Sequence, residues 1–261
     1  MCASTCSSSD DVGSEFHSSG TGAGTLRNGE AFDTTFSPFR DPKISCVRVS
    51  VSELSSFELH PQEAAALGEA VSPKRRRDFM LGRFAARRSM QHLGCVEDSP
   101  VLRGEHREPV WPDGVVGSIS HSGGFGVAAV GWQKDFSAIG IDIQQIEDRY
   151  SDDLIARFAD PDEFDWVRSD PSIRTERAVK LFSAKESVFK ALYPVSRVWF
   201  AFDAAKLTPR DGEFGFSAAV RLPAFSTGLI HLEVDVALVD GFVITGCWMQ
   251  EGLSAQGVAV I

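Results

Sequence analysis

Apolar residues along this chain follow two patterns, one helical in period and one alternating. The run from Ile44 to Val51 puts Val47, Val49 and Val51 on one face, as a strand does. A helix is predicted after Ser72-Pro73, where a capping serine is followed by a proline at the first helical position. Phe79, Gly82, Ala86, Met90 and Leu93 then recur at three- and four-residue steps, and Gly94 is a natural stop. Short apolar runs at Val115–Ile119, Phe125–Val130 and Ala138–Ile143 predict strands. A second helix is predicted from about Arg174 to Leu192, with Leu181, Val188 and Leu192 on one face. Strands follow at Val198–Phe202, Phe214–Val220, Leu232–Leu238 and Phe242–Trp248. The alternation around Leu232 is that of a half-buried antiparallel strand. Helix-then-strands thus occurs twice at similar size, which predicts two related α+β halves despite little shared lettering.

Residues 1–43 break this rhythm. They are rich in Ser, Thr and Gly with no apolar period, and are read as a flexible tail from which Phe32, Phe36 and Phe39 could dock on the body. The folded region is expected to start at Ile44. The net charge of −10 argues against general affinity for a nucleic acid backbone, so any anionic ligand needs a local basic pocket. No run approaches the ~20 apolar residues of a membrane helix. The five cysteines have no zinc-site spacing, and the first residues lack the basic and apolar regions of a secretion signal, so reduced thiols in the cytoplasm are expected.

Several residues could carry chemistry. Asp142 ends an apolar strand beside Gly140, which can aim a carboxylate into a cleft or simply cap a turn. Glu186 and Lys190 share a helix face, with Phe182 and Phe189 flanking them, so the pair is not plainly a solvated one. Lys74, Arg75, Arg76 and Arg77 crowd the first turn of the earlier helix, where the dipole disfavours cations, and Arg83 and Arg87 continue the stripe. Arg103 and His106 in the next loop could serve the same anion. Ser120-His121 enters a glycine-rich loop whose hydroxyl, ring and N–H groups suit phosphate. Two carboxylates for a divalent cation and several cations for phosphates point to attack on phosphorus in a polyphosphate ligand.

The spacing resembles that of the Sfp-type 4′-phosphopantetheinyl transferases, closest to the branch of enterobactin synthetase component D and its actinobacterial relatives. Gly140-Ile141-Asp142, a gap of about forty residues and Phe182-Ser183-Ala184-Lys185-Glu186 ending at Lys190 carry the resemblance. Lys74–Gly94, Arg107–Gly124 and Leu192–Leu207 support it. It implies two pseudo-symmetric α+β halves, each a long helix packed on a small, mostly antiparallel sheet, with the active site in the cleft between them. Residues 44–137 would bind the nucleotide of coenzyme A, and residues 138–261 would carry the metal and the catalytic helix.

By the same resemblance, Asp142 and Glu186 bind Mg²⁺, for which Mn²⁺ can compete, and Lys190 contacts the diphosphate. Ser120 and His121 bind phosphate, while Arg75, Arg83, Arg103 and His106 hold the nucleotide end. Many relatives have a second acid where this chain has Gln144, an amide that binds Mg²⁺ more weakly. The implied reaction is attack by a serine of an apo acyl or peptidyl carrier protein on the β-phosphorus of coenzyme A, releasing 3′,5′-ADP, with Glu186 as the base. A monomer is expected, serving fatty acid, polyketide, siderophore or other peptide synthesis. Trp199, Phe200 and Phe202 are either core or an apolar dock for the carrier. The competing readings are a non-catalytic module that binds coenzyme A or a carrier, and a Mg²⁺-dependent pyrophosphatase.

Overall fold

The computed structural model describes residues 23–25, 31–33, 36–95, 99–210, 212, 214–222 and 228–252. The chain divides into two units, Met1–Thr35 and Phe36–Ile261. In the first, β1 (Ala23–Thr25) pairs antiparallel with β2 (Ala31–Asp33). The second contains β3 (Ser45–Ser50), α1 (Pro61–Leu67), α2 (Pro73–Leu93), β4 (Leu102–Arg103), β5 (Pro109–Val110), β6 (Val115–Ser122), β7 (Phe125–Trp132) and β8 (Phe136–Gln145). Then come α3 (Asp152–Ile155), α4 (Pro161–Arg168), α5 (Arg174–Ser196), β9 (Ala205–Pro209), β10 (Gly215–Val220), β11 (Ile230–Val239) and β12 (Phe242–Gln250).

The architecture is two-domain α+β, with helices on small antiparallel sheets. One sheet has the order β3-β7-β6 and the other β8-β12-β11-β10-β9. In each, the first strand lies beside the last, and the last beside its predecessor in sequence. The long helix comes after the first strand both times, so α2 covers β7 and β3 while α5 covers β8 and β12. Ser72 caps α2 through Arg75 N–H, and Gly94 closes it in the left-handed region at φ 93°. These are the boundaries the pattern predicts.

The cores follow the pleat. Leu81, Ala85, Ala86 and Met90 of α2 meet Val47, Val49, Ala128 and Val130. Leu181, Ala184, Val188 and Leu192 of α5 pack with Phe216, Val234 and Val243. Strand β8 is buried on both faces. Ile139, Ile141 and Ile143 join Val127, Ala129 and Ile244, whereas Ala138 joins the core under α5. Period-two alternation therefore turns Gly140 and Asp142 toward α5. A Cβ at Gly140 would collide with the Ser187 carbonyl of α5, so glycine is what permits this close approach.

Four expectations change. Packing begins at Phe36 rather than Ile44, because Phe36 is buried among the isoleucines of β8 and Phe39 lies against Trp248; the remaining expectations for the tail fall largely outside the described residues. The buried stripe of α2 includes Leu81 and Ala85, while Phe79 and Leu93 are only half-buried. Helix α5 runs past Leu192 to Ser196 with Pro194 in its last turn, and stops where Arg197 becomes left-handed at φ 55°. Residues 198–202 form no strand: Phe202–Ala204 is a 3-10 turn and the ladder starts with β9. The alternation there comes from a loop that turns Phe200 and Phe202 inward onto Phe189 and Phe182 while Trp199 stays 76% exposed.

Candidate active site

Asp142 is 1% exposed and accepts four hydrogen bonds, about the full capacity of a carboxylate. Ser120 Oγ (2.8 Å) and Lys190 Nζ (2.5 Å) donate to Oδ1, and Ser183 Oγ (2.9 Å) and Gln144 Nε2 (2.9 Å) donate to Oδ2. The Lys190 ammonium also donates to Ser120 Oγ at 2.9 Å. Strand β6 supplies Ser120, β8 supplies Asp142 and Gln144, and α5 supplies Ser183 and Lys190. One carboxylate thus ties three elements together.

Glu186 is different. It is half-buried on α5, one turn before Lys190, and its carboxylate has no hydrogen-bond or ion-pair partner among the described residues. Burial pushes its pKa up; Lys190 opposes that shift and Asp142 adds to it. A lone carboxylate repelled by a second one is a position that a cation would stabilise. Among the described residues no three His, Cys, Asp or Glu side chains cluster to hold a metal. The nearby oxygen-bearing side chains are Glu186, Asp142, whose oxygens are fully bonded while Lys190 stays on it, and Gln144, which presents its NH₂ to Asp142. Two carboxylates suit Mg²⁺, which draws the rest of its shell from water and phosphate.

A cavity of about 460 Å³ is lined by Lys74, Arg75, Arg83, Arg103, Arg107 and His121, with Asp78 as its acidic member. Burial lowers the Arg103 pKa, and the neighbouring Arg75 and Arg107 lower it further. Such mutually repelling guanidiniums form a seat for an anion. Arg83 lines the cavity but is buried: its pKa falls to about 10 chiefly through desolvation, with Arg103 lowering it further, and it donates to Leu102 O (3.2 Å). The adjacent pair Ser120-His121 links the two regions, Ser120 bonding Asp142 and His121 lining the cavity. Burial lowers the His121 pKa, and the ring feels Asp78 and Lys74 from the cavity as well as Lys190 and Asp142 from the carboxylate site.

The fold therefore brings Asp142, Glu186, Lys190, Ser120 and Gln144 into one cluster, and Arg75, Arg83, Arg103 and His121 into the adjoining cavity. His106 does not line that cavity; its ring sits edge-on to Tyr193 at 6.2 Å. Arg107 does line it, although sequence reading passed it over. Its signal is a cation between Arg103 and Pro109 in one short hairpin.

Two further acids escaped notice, and they mark the duplication. Glu63 and Glu163 are both buried at the third position of short helices that begin His60-Pro61 and Asp160-Pro161. Each carboxylate accepts from its cap residue's N–H, and each also accepts from a distant backbone N–H, Val101 (2.9 Å) and Leu207 (2.8 Å). Each meets a cation of the following long helix: Arg87 at 3.4 Å in one half and Lys185 at 2.7 Å in the other. Lys185 therefore points away from the carboxylate cluster, even though Glu186 beside it points in.

The model for the 4′-phosphopantetheinyl transferase N-terminal domain matches residues 62–131, and that for the 4′-phosphopantetheinyl transferase superfamily matches residues 138–244. The chain belongs to the 4′-phosphopantetheinyl transferase family. It is 37% identical to the 4′-phosphopantetheinyl transferase Svp of Streptomyces mobaraensis over 77% of this chain and 78% of the relative. It is 32% identical to Npt of Nocardia iowensis, over 72% and 88% of the two chains. It is also 32% identical to PptT of Mycobacterium tuberculosis, over 71% and 75%. As a member of this family, the transferase moves phosphopantetheine from coenzyme A to a carrier-protein serine. No described helix is long and apolar enough to cross a membrane.

Proposed function

We propose that the cavity seats the nucleotide end of coenzyme A and that the Asp142–Glu186–Lys190 cluster receives its diphosphate. The supporting observation is the adjacent pair Ser120-His121: Ser120 bonds Asp142 in the cluster while His121 lines the cavity, so one short stretch of β6 joins both places. Residues 44–137 then serve as the nucleotide half and residues 138–261 as the chemical half. Arg75, Arg103 and Arg107 take the nucleotide phosphate, with the more buried Arg83 beside them in the cavity wall. Ser120 and His121 donate to the diphosphate.

In this reading Asp142 and Glu186 hold Mg²⁺, which neutralises diphosphate charge when bound. Mn²⁺, also an oxygen-binding divalent cation, would compete. Lys190 leaves its short contact with Asp142 to stabilise the departing nucleotide phosphate. Glu186, the unpartnered carboxylate, accepts the proton of the incoming serine hydroxyl. Transfer then rests mainly on positioning and electrostatics.

Gln144 turns its NH₂ to Asp142 and its oxygen toward Arg149 Nη2 at 3.5 Å. That orientation supports Asp142; ligation would need the amide turned over. Gln144→Glu supplies a third carboxylate and should lower the Mg²⁺ concentration for half-maximal transfer. Transfer is read by mass spectrometry of an apo carrier incubated with coenzyme A, and chelation of the metal should abolish it. Full transfer in excess chelator removes the metal from the reaction, and an unchanged titration in Gln144→Glu removes position 144 from the metal shell.

The carrier reaches the cluster over a surface that includes Trp199, whose ring stands edge-on to Phe189 at 4.9 Å, one residue before Lys190. An exposed tryptophan is the usual anchor of a protein interface. Trp199→Ala should raise KM for the carrier and leave KM for coenzyme A unchanged; the opposite pattern excludes the dock. In this reading the transferase is cytoplasmic and acts on fatty acid, polyketide, siderophore or other peptide-synthetase carriers, and a cluster and cavity both built from one copy of the chain support a monomer.

A further inference from the structure

We propose that Glu108 is a positioning residue for coenzyme A, acting with Arg197 as a clasp between the cationic cavity and the end of α5. The inference rests on the cavity being the nucleotide seat. Arg103, Arg107 and Pro109 reach the cavity from one turn, held by strands β4 and β5 of two residues each. So short a ladder is weak support for two guanidiniums that repel each other. Glu108 stands inside this turn with its side chain only 10% exposed.

Its carboxylate binds in two directions. Oε2 accepts His106 N–H at 3.0 Å within the turn, and Oε1 accepts Arg197 Nη1 at 2.5 Å across the molecule. Gly104 makes room for it, since a Cβ there would run into the Glu108 carboxylate. Arg197 caps α5, the helix that carries Glu186 and Lys190. Both ends of the bridge hold unusual backbone: Arg107 at φ 76° and Arg197 at φ 55° are two of only three non-glycine residues in the left-handed region among the described residues. His106 against Tyr193 adds a second tie between the same two places. Burial alone would raise the Glu108 carboxyl, but the hydrogen bonds and Arg197 hold it below the usual range, so it stays charged at neutral pH.

One ligand must span from cavity to cluster, so the distance between them governs how well it binds. The clasp fixes that distance without touching the reacting atoms. Glu108→Gln keeps the shape and loses the charge, and Arg197→Ala removes the other partner. Each should raise KM for coenzyme A roughly tenfold, the scale of one charge-assisted hydrogen bond, and leave kcat and the carrier KM near wild type. The double variant should be no worse than either single one, and Arg197→Lys should restore part of the loss. Thermal unfolding identifies any variant that has simply lost its fold, in which case Arg197→Lys and Arg197→Ala alone decide. Unchanged KM for coenzyme A, or single effects that multiply in the double variant, overturns the clasp. Arg75→Ala run in parallel separates the two claims: if it too leaves KM unchanged, the seat is misplaced, whereas silence of the clasp variants alone removes only the clasp.

Discussion

Glu186→Gln should lower phosphopantetheinyl transfer by on the order of 10²–10³-fold, the usual effect of deleting one preorganised electrostatic partner. The amide is nearly isosteric, and the carboxylate it replaces has no partner among the described residues, so no hydrogen-bond network is broken and the fold should survive. The change removes a negative charge beside Asp142 and with it both proposed roles, cation ligand and proton acceptor. Near-normal transfer by the folded variant takes Glu186 out of the chemistry.

The largest effect on stability is expected at its neighbour. Lys185 and Glu163 form an ion pair at 2.7 Å in which each side chain is 1% exposed, and Lys185 also donates to Phe202 O at 3.1 Å. Lys185→Met strands a buried carboxylate and should cost about 3–5 kcal/mol, a large share of the ~5–15 kcal/mol by which domains are stable. Adding Glu163→Gln should recover part of it, because the amide oxygen can still accept Leu207 N–H without an unpaired charge. Urea unfolding reads both changes through the midpoint. A Lys185→Met protein within about 1 kcal/mol of wild type would show that the pair is not needed to hold α4 and β9 to α5.

Much of the site could be read before folding was considered. Gly140-Ile141-Asp142 on a strand and Glu186 with Lys190 on a helix are local statements, and the structure puts them where pleat and helical period demand. Nothing local distinguishes Lys185 from Glu186, since both lie on one apolar-flanked turn. Their opposite directions follow from α5 being packed against β8 on one side and α4 on the other. The paired His-Pro-x-Glu and Asp-Pro-x-Glu segments were present in the letters but went unread, because helices α1 and α4 are too short to show an apolar stripe. Trp199 and Phe200 look alike as adjacent aromatics, and only the path of the loop after Arg197 exposes one and half-buries the other.

The amino-acid order by itself determined the two long helices, most strands, the twofold rhythm and the family, because caps, periods and motif spacings act over a few residues at a time. Tertiary structure alone decided that Arg75, Arg103, Arg107 and His121 share one cavity, that Asp142 is saturated while Glu186 has no hydrogen-bond or ion-pair partner among the described residues, and that Glu108 reaches Arg197. Those outcomes depend on strand order and on helices crossing sheets, where residues far apart in the chain meet. Charge and burial at such meetings are properties of the neighbours that folding supplies.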